Sequence, residues 1–185
     1  MAVAVGSLGP VSPAAANFSG ATGATGCNDL NKADNATHSF HNVDLSTAMV
    51  NATSWARTNN VDPTDINTTT DPSLDGLTDV VVRDRYYVDF CGHDWYRSST
   101  NGGVVGLATC DDTNSADECE QHTVRYNNYF VDNTSLTNER GLACHEIGHT
   151  LGLAHRTSKS CMQQGYPKPL NNYSAHDAEH INNNY

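Results

Sequence analysis

The chain has 185 residues, with 10 Lys and Arg against 21 Asp and Glu, which gives a formal net charge of −11. Nucleic acids and anionic membrane surfaces both attract a basic face, so this charge balance argues against either as a partner. No stretch approaches the ~20 apolar residues that a membrane span needs. The length suits a single domain, and we expect a monomer.

The first 26 residues carry no charged side chain and are rich in Ala, Gly and Ser. This composition fits the tail of a secretory signal peptide with a small-residue cleavage site near Ala16, or alternatively a disordered leader. Both interpretations leave residues 1–26 outside the fold and residues 27–185 as one folded domain.

The next part of the chain predicts a strand, a helix and a second strand. Residues 38–44 are expected to form a short first strand. Asp44 or Ser46 can cap a helix over about 45–59, where apolar residues recur at helical spacing. The β-branched and aromatic residues of segment 79–89 predict a central strand.

The segments around and after that strand predict loops alternating with strands. Residues 61–76 contain two prolines and are predicted to be a turn-rich loop. Residues 92–103 form a second predicted loop, which leads into a strand of small residues over 104–110. An acidic loop over 111–121 and a strand over 123–131 follow.

The last third of the chain predicts two helices. The first has its body at about 137–151. The second covers about 174–183 and begins with a capping box, in which Ser174 and Asp177 bind each other's backbone N–H groups. The whole order of elements predicts an α+β fold with a mixed, twisted sheet.

Residues 144–155 read C-H-E-I-G-H-T-L-G-L-A-H and carry the clearest chemical signal. His145 and His149 are four residues apart, so on a helix they project from one face. Two imidazoles so placed can bind one zinc ion. Glu146, which lies between them, is placed to contact a zinc-bound water and to take its proton.

Gly152 and His155 extend this signal to the pattern H-E-x-x-H-x-x-G-x-x-H. Gly152 permits a positive φ, which a helix needs in order to stop and turn sharply. The turn brings His155 back as a third ligand and leaves the fourth position open for water. Three protein ligands and one open position indicate a catalytic zinc site rather than a structural one.

This motif, followed by Ser160-Cys161-Met162, resembles the metzincin zinc endopeptidases, whose long motif precedes a Met-turn. The likeness is closest to small secreted matrixin-like proteases of actinobacteria, which also have a C-terminal H-D-x-x-H-x-N segment, here 176–182. The resemblance implies an upper subdomain with two long helices. It also implies a short lower subdomain with a C-terminal helix, in which Met162 forms the floor beneath the metal.

The resemblance also places an edge strand above the cleft, at Gly106, Leu107 and Ala108. An extended peptide can add to such an edge through backbone hydrogen bonds, although an ordinary edge strand would look the same. The implied function is a secreted zinc endopeptidase whose catalytic domain is 27–185. Two alternatives stay open: an inactive, metal-stabilised binding or inhibitor module, and a zinc hydrolase of non-peptide amides or esters.

Six cysteines without a C-x-x-C pair predict three disulfides formed in an oxidising compartment. If a Met-turn passes beneath the metal, as the resemblance implies, Cys144 and Cys161 lie beside the same site. The expected pairs are Cys144–Cys161, Cys110–Cys119 across the acidic loop, and Cys27–Cys91 by elimination.

The sequence contains ligand types for two further metal ions, a second zinc and a calcium. His93, Asp94 and His122 are the ligand types of the second zinc of matrixins, but the surrounding pattern is absent. Acidic groups could hold calcium, although no D-x-[DN]-x-[DN]-G loop occurs.

The remaining histidines fall into two pairs. We expect His38 and His41 to be surface residues of the first strand. His176 and His180 lie four apart on the last helix and could bind a metal, but packed or solvated imidazoles are the expected arrangement.

Overall fold

The centre of the protein is a five-stranded sheet. A computed structural model describes residues 32–96, 103–157 and 159–185, apart from the side chains at 93 and 94. The strands of the sheet are β1 (Thr37–Val43), β2 (Asn67–Thr70), β3 (Val80–Arg85), β6 (Gly106–Thr113) and β7 (Cys119–Asn127). Their order is β2-β1-β3-β7-β6, and all neighbours pair in parallel except β6, which runs antiparallel to β7. The sheet is therefore mixed, and the predicted α+β class is confirmed. A separate two-stranded ribbon is formed by β4 (Asp89–Phe90) and β5 (His93–Asp94).

The central strand of the sheet is β3, as the sequence predicts. Val80, Val81 and Val82 are all buried, because β1 and β7 flank the strand and both faces of the sheet are covered here. The prediction for residues 61–76 is wrong in part, because β2 lies inside this supposed loop. Its sequence Asn-Thr-Thr-Thr carries no apolar pattern, and the strand is defined by parallel pairing with β1.

Two helices pack against each other beside the sheet. They are α1 (Thr47–Ala56), which continues into a π-helical turn (Arg57–Val61), and α3 (Leu136–Thr150), which also packs on β6 and β7. Ser46 rather than Asp44 caps α1, since its hydroxyl accepts from Met49 N at 3.4 Å and donates to the Asp84 carboxylate at 2.6 Å. Apolar side chains from both helices and from β3 and β7 fill the space between them, among them Met49, Ala52, Val80, Val82, Val124, Leu142 and Ile147.

Strand β7 ends four residues before its predicted limit, and Asn127 explains the difference. Its side-chain oxygen accepts from Tyr129 N at 3.2 Å and starts the short helix α2 (Asn128–Val131). Its amide nitrogen donates to the carbonyls of Trp95 and Val104, each at 2.8 Å. The side chain thus closes the strand and ties the neighbouring segments together.

His38 is a second difference from expectation, because its side chain is fully buried on β1. Alternate residues of a strand face the same side of the sheet, so His38 shares the inner face with Phe40, and their ring centroids are 6.2 Å apart. His41 is partly buried, and its Nδ1 donates to the carbonyl of Asp71 at 3.0 Å.

The chain after Gly152 is short and mostly irregular, and it ends in α4 (Ala175–Asn182), which has the predicted Ser174–Asp177 capping box. Disulfides join Cys144 to Cys161 and Cys110 to Cys119, as the sequence analysis pairs them. Cys91 is also disulfide-bonded. Its expected partner at position 27 lies outside the described residues, as does the leader 1–26. No helix in the described ranges is long and apolar enough to cross a membrane.

Candidate active site

The active-site helix α3 ends in a turn that reverses the chain. Gly152 has a φ of 83°, its N–H donates to His149 O at 3.0 Å, and the N–H of Leu153 donates to Gly148 O at 3.0 Å. This pair of bonds is the Schellman arrangement, which favours glycine because an L side chain rarely adopts such a φ. The turn returns the following residues toward α3 and brings His155 beside its last turn.

The three predicted metal ligands converge at this point. His145 and His149 approach each other through their Nε2 atoms, which are 3.2 Å apart. The ring of His155 lies 5.1 Å from that of His145 and 5.0 Å from that of His149, centroid to centroid. One ring nitrogen from each of the three residues falls within 4.8 Å of the others.

Backbone carbonyls fix the orientation of two of these rings. Nδ1 of His145 donates to Cys161 O at 2.8 Å, and Nδ1 of His149 donates to Leu153 O at 2.6 Å. A carbonyl oxygen can only accept, so the His149 ring carries its proton on Nδ1 and presents an Nε2 lone pair to the centre of the site. The Cys161 carbonyl favours the same tautomer for His145. Metal-binding histidines are commonly oriented in this way.

These residues fit a zinc ion. Two Nε2 lone pairs facing each other at 3.2 Å repel in the absence of a cation and become two ligands in its presence. Burial lowers the pKa of His145 well below its ordinary value and that of His149 to about 3, which keeps both imidazoles neutral. Neutral imidazole is the form that binds a metal.

Glu146 lies under the edge strand β6 next to the histidines. Its side chain is only 4% exposed, and a Cβ added to Gly106 would come within 2.5 Å of Glu146 Oε1. Burial raises the pKa of Glu146, while the Lys168 ammonium and the backbone N–H of Ala108 act in the opposite direction. The close approach explains why a glycine occupies this point of the strand.

Lys168 is a residue of this site that sequence reasoning misses. It is 6% exposed, its Nζ donates to Gln163 O at 2.5 Å, and it lies 3.0 Å from His145 Nδ1. Burial lowers the pKa of Lys168, and the Glu146 carboxylate raises it. The residue belongs to an irregular segment far from the histidine motif, so no local pattern indicates its position.

Met162 packs directly beneath α3. Its side chain is fully buried, and a Cβ on Gly148 would overlap its sulfur atom. The backbone N–H of Met162 donates to Ser160 Oγ at 3.1 Å, and Ser160 Oγ donates to the Asp177 carboxylate at 2.6 Å. The methionine is thus held against the helix between the two histidine turns, with support from α4.

A cleft of about 590 Å³ runs between β6 and the segment after the Met-turn. It is lined by backbone and side chains of both parts, including Val104, Val105, Gly106, His145, Glu146, Tyr166 and Lys168. Of the three residues predicted to bind substrate, Gly106 lines this cleft. Leu107 and Ala108 lie on the same edge strand beyond it.

The other candidate metal residues do not form a comparable group. His122 is buried on β7, and the side chains at positions 93 and 94 lie outside the described residues. Within the described part of the chain, His145, His149 and His155 form the one cluster of three or more potential metal ligands. The described residues therefore provide no support for a calcium site. His176 and His180 do meet on α4, with their Nε2 atoms 3.0 Å apart.

The helix, the reversed turn and the three histidines together define a zinc metallopeptidase of the metzincin type. The sequence profile of the peptidase family described as matrixin matches residues 90–185, just over half of the chain. The chain belongs to the matrixin family.

One solved structure similar to this chain is archaemetzincin (AmzA) from Archaeoglobus fulgidus, in a crystal structure complexed with malonate. The identity is 10%, the TM-score is 0.46, and the match covers 77% of this chain and 98% of the other. No curated protein sequence matches at a significant level.

Proposed function

We propose that this protein is a secreted zinc endopeptidase that uses His145, His149 and His155 as metal ligands and Glu146 as its acid–base group. The observation that carries the proposal is the pair of backbone carbonyls that orient His145 and His149. Their lone pairs face the same point, and His155 closes the group. Glu146 lines the same cleft, so ligands and base serve one site.

A zinc ion bound by the three histidines would polarise the scissile carbonyl and acidify a water molecule. Glu146 accepts the proton of the attacking water and later delivers it to the leaving amine. The buried position beneath β6 suits this double role, because it holds the carboxyl in the cleft next to the metal ligands and within reach of the charge of Lys168.

The edge strand β6 supplies the means of holding a peptide. On its outer side, away from β7, it can pair with an extended substrate strand through backbone hydrogen bonds. Gly106 leaves room for the Glu146 side chain directly beside this strand, so the base lies next to the edge that would hold the substrate. Lys168 closes the opposite wall of the cleft with a positive charge.

Secretion is supported by the disulfides. Both described bonds lie in the part of the chain that matches the peptidase family. In the Cys144–Cys161 bond, Cys144 directly precedes the predicted ligand His145 and Cys161 directly precedes Met162. Such bonds persist in oxidising compartments and are rare in the cytosol. We further propose that residues 27–185 act as one catalytic domain and that the protein works as a monomer.

The test is cleavage of a peptide library prepared from a denatured proteome, with the cut sites identified by mass spectrometry. The zinc-loaded protein should bind about one zinc per chain and cut within peptides, and a zinc chelator should abolish cleavage. His155→Ala should lose zinc and activity together, whereas His41→Ala, which removes a histidine far from the motif, should keep both.

Other results would point to the two alternatives. A zinc-loaded protein that cuts no peptide but binds other proteins would be a binding or inhibitor module. One that hydrolyses small esters or amides and ignores long peptides would be a non-peptide hydrolase. Activity that persists in the chelator would contradict the zinc site itself.

A further inference from the structure

The C-terminal helix α4 contains a second pair of histidines with the geometry of a metal-binding pair. The Nε2 atoms of His176 and His180 are 3.0 Å apart, and the ring centroids are 4.2 Å apart with an interplanar angle of 75°. For His145 and His149 on α3 the same quantities are 3.2 Å, 4.6 Å and 79°. The two pairs therefore converge in the same way, although no residue of α4 belongs to the group of three predicted zinc ligands.

The separation of the two nitrogens indicates which kind of ion fits between them. With metal–nitrogen bonds of about 2.0–2.1 Å, nitrogens 3.0 Å apart subtend close to a right angle at the metal. Right angles separate neighbouring ligands in square-planar and octahedral complexes, which Cu²⁺ and Ni²⁺ favour with nitrogen and oxygen ligands. Cu²⁺ also stands highest in the affinity order of divalent ions.

The surroundings of the pair suit a bound ion. Both histidines are half-buried, so water can occupy the remaining coordination positions. Burial, followed by the neighbouring His176 and Arg156, lowers the pKa of His180 and favours the neutral imidazole. The positive charge of Arg156 is balanced by Asp177, whose Oδ1 accepts from Arg156 Nη1 at 2.6 Å.

An ion at this position would stabilise a short helix. Helix α4 has 8 residues, and helices of this length are marginal without tertiary support. Between the two histidines lies Asp177, which accepts from Ser160 next to the Met-turn. Fixing His176 to His180 across one helical turn therefore also fixes the residue that anchors Ser160.

We propose that His176 and His180 form a second metal site, which binds a divalent transition-metal ion of the Cu²⁺ type and stabilises α4 against the Met-turn. The site is structural and separate from the zinc site of α3. The competing explanation of the same geometry is a direct N–H···N hydrogen bond between the two imidazoles, with no ion.

The experiment adds Cu²⁺ to the zinc-loaded full chain and measures both metals by mass spectrometry after removal of excess. We expect zinc to stay at one equivalent and copper to add one more. The copper should show nitrogen coupling from two imidazoles in electron paramagnetic resonance, and the midpoint of thermal unfolding should rise. His176→Ala, His180→Ala and the double variant should lose the added copper, with an affinity at least 100-fold lower, and should keep their zinc.

Two controls separate this result from a general effect. Glu179→Ala, which removes an exposed side chain of the same helix, should bind copper as the wild type does. Circular dichroism and zinc content show whether each variant is folded. The proposal is overturned if the wild type takes up no second equivalent, or if the double variant still takes it up. Neither outcome depends on whether the protein cleaves peptides.

Discussion

The same short pattern, a histidine, an acid and a second histidine four residues after the first, occurs in α3 and again in α4. In α3 it is His145-Glu146-x-x-His149, and in α4 it is His176-Asp177-x-x-His180. Both pairs bring their Nε2 atoms to within 3.2 Å of each other. Helical spacing alone accounts for this likeness.

The two acids have different surroundings. The carboxylate of Asp177 accepts from Ser160, Arg156 and Ser174, and it is used to cap α4 and to hold the Met-turn. In the described part of the chain, no side-chain donor forms a hydrogen bond with Glu146, and its carboxylate faces the cleft.

The histidines differ as well. The α3 pair is held by two backbone carbonyls and joined by His155 through the turn at Gly152. The pattern thus brings two imidazoles together in each helix, while among the described residues a third histidine joins only the α3 pair.

The largest effect should follow from removing the acid of α3. Glu146→Ala should lower kcat/KM by about 10²–10⁴-fold or more, because general base catalysis has this magnitude and the same group also serves as acid. Zinc content should stay at one per chain, since the proposed ligands are the three histidines and not Glu146. A variant that keeps over a tenth of the wild-type kcat/KM would show that another group is the base. Glu179→Ala is the matched control and should leave kcat/KM unchanged.

Removing the charge of the acid of α4 should instead lower stability. Asp177→Asn removes the carboxylate that pairs with Arg156 and leaves Ser174 Oγ as the neutral acceptor of Arg156 Nη1. Breaking such a buried ion pair is expected to reduce the free energy of unfolding by about 3 kcal/mol at pH 7. Urea unfolding of both proteins gives the difference directly.

The pH dependence of that difference follows from the pKa of Asp177. Burial alone would raise it, but the hydrogen bonds from Ser160, Arg156 and Ser174 outweigh burial and hold the pKa below the ordinary 3.8. A lowered pKa in the folded state stabilises the protein above the unfolded-state pKa, and this stability is lost as the pH falls through the folded-state value. The two proteins should therefore differ most at neutral pH and converge below pH 3.8; equal stability at pH 7 would contradict the assignment.

The disulfides allow a comparison of the same kind. Cys144→Ser with Cys161→Ser opens a link of sequence separation 17 and should lower the free energy of unfolding by about 3 kcal/mol in the chain-entropy treatment. Because Cys161 O orients His145, zinc affinity should fall too. The control is Cys110→Ser with Cys119→Ser, of separation 9, which should lower stability by about 2.5 kcal/mol and leave zinc affinity unchanged. Equal zinc affinity in both double variants would show that the Cys144–Cys161 bond does not support the site.

The smallest effect should come from the contact between β6 and α3. In Gly106→Ala the new Cβ would lie 2.5 Å from Glu146 Oε1, so the carboxylate must move. Misplacement of a reacting group by about 1 Å can lower activity up to 10²-fold, and we expect about tenfold in kcat/KM. Gly76→Ala is the control, because nothing lies within 4 Å of its added Cβ. If both variants had the same kcat/KM, the position of Glu146 would not depend on this contact.

The parts of the molecule that sequence reasoning predicts are those defined by local rules. The helix of His145 and His149, the turn at Gly152 and the capping box at Ser174 each follow from side chains within one or two helical turns.

The parts it misses depend on distant partners. Strand β2 exists through pairing with β1, and His38 is buried on β1 next to Thr150, the last residue of α3. Lys168 reaches the cleft from an irregular segment. No periodicity in the sequence encodes these contacts, which arise only when the sheet and helices assemble.

The turn at Gly152 also affects the order in which the protein can assemble. It confines all three histidines to residues 145–155, so the loop closed by the metal ligands is short and its closure entropy is small. Contacts between residues near in sequence form early, whereas the parallel pairings of β1, β3 and β7 join distant segments and form slowly. The three histidines can therefore approach each other before the sheet is complete, and the ring of His145 takes its final orientation when the Met-turn docks and supplies Cys161 O.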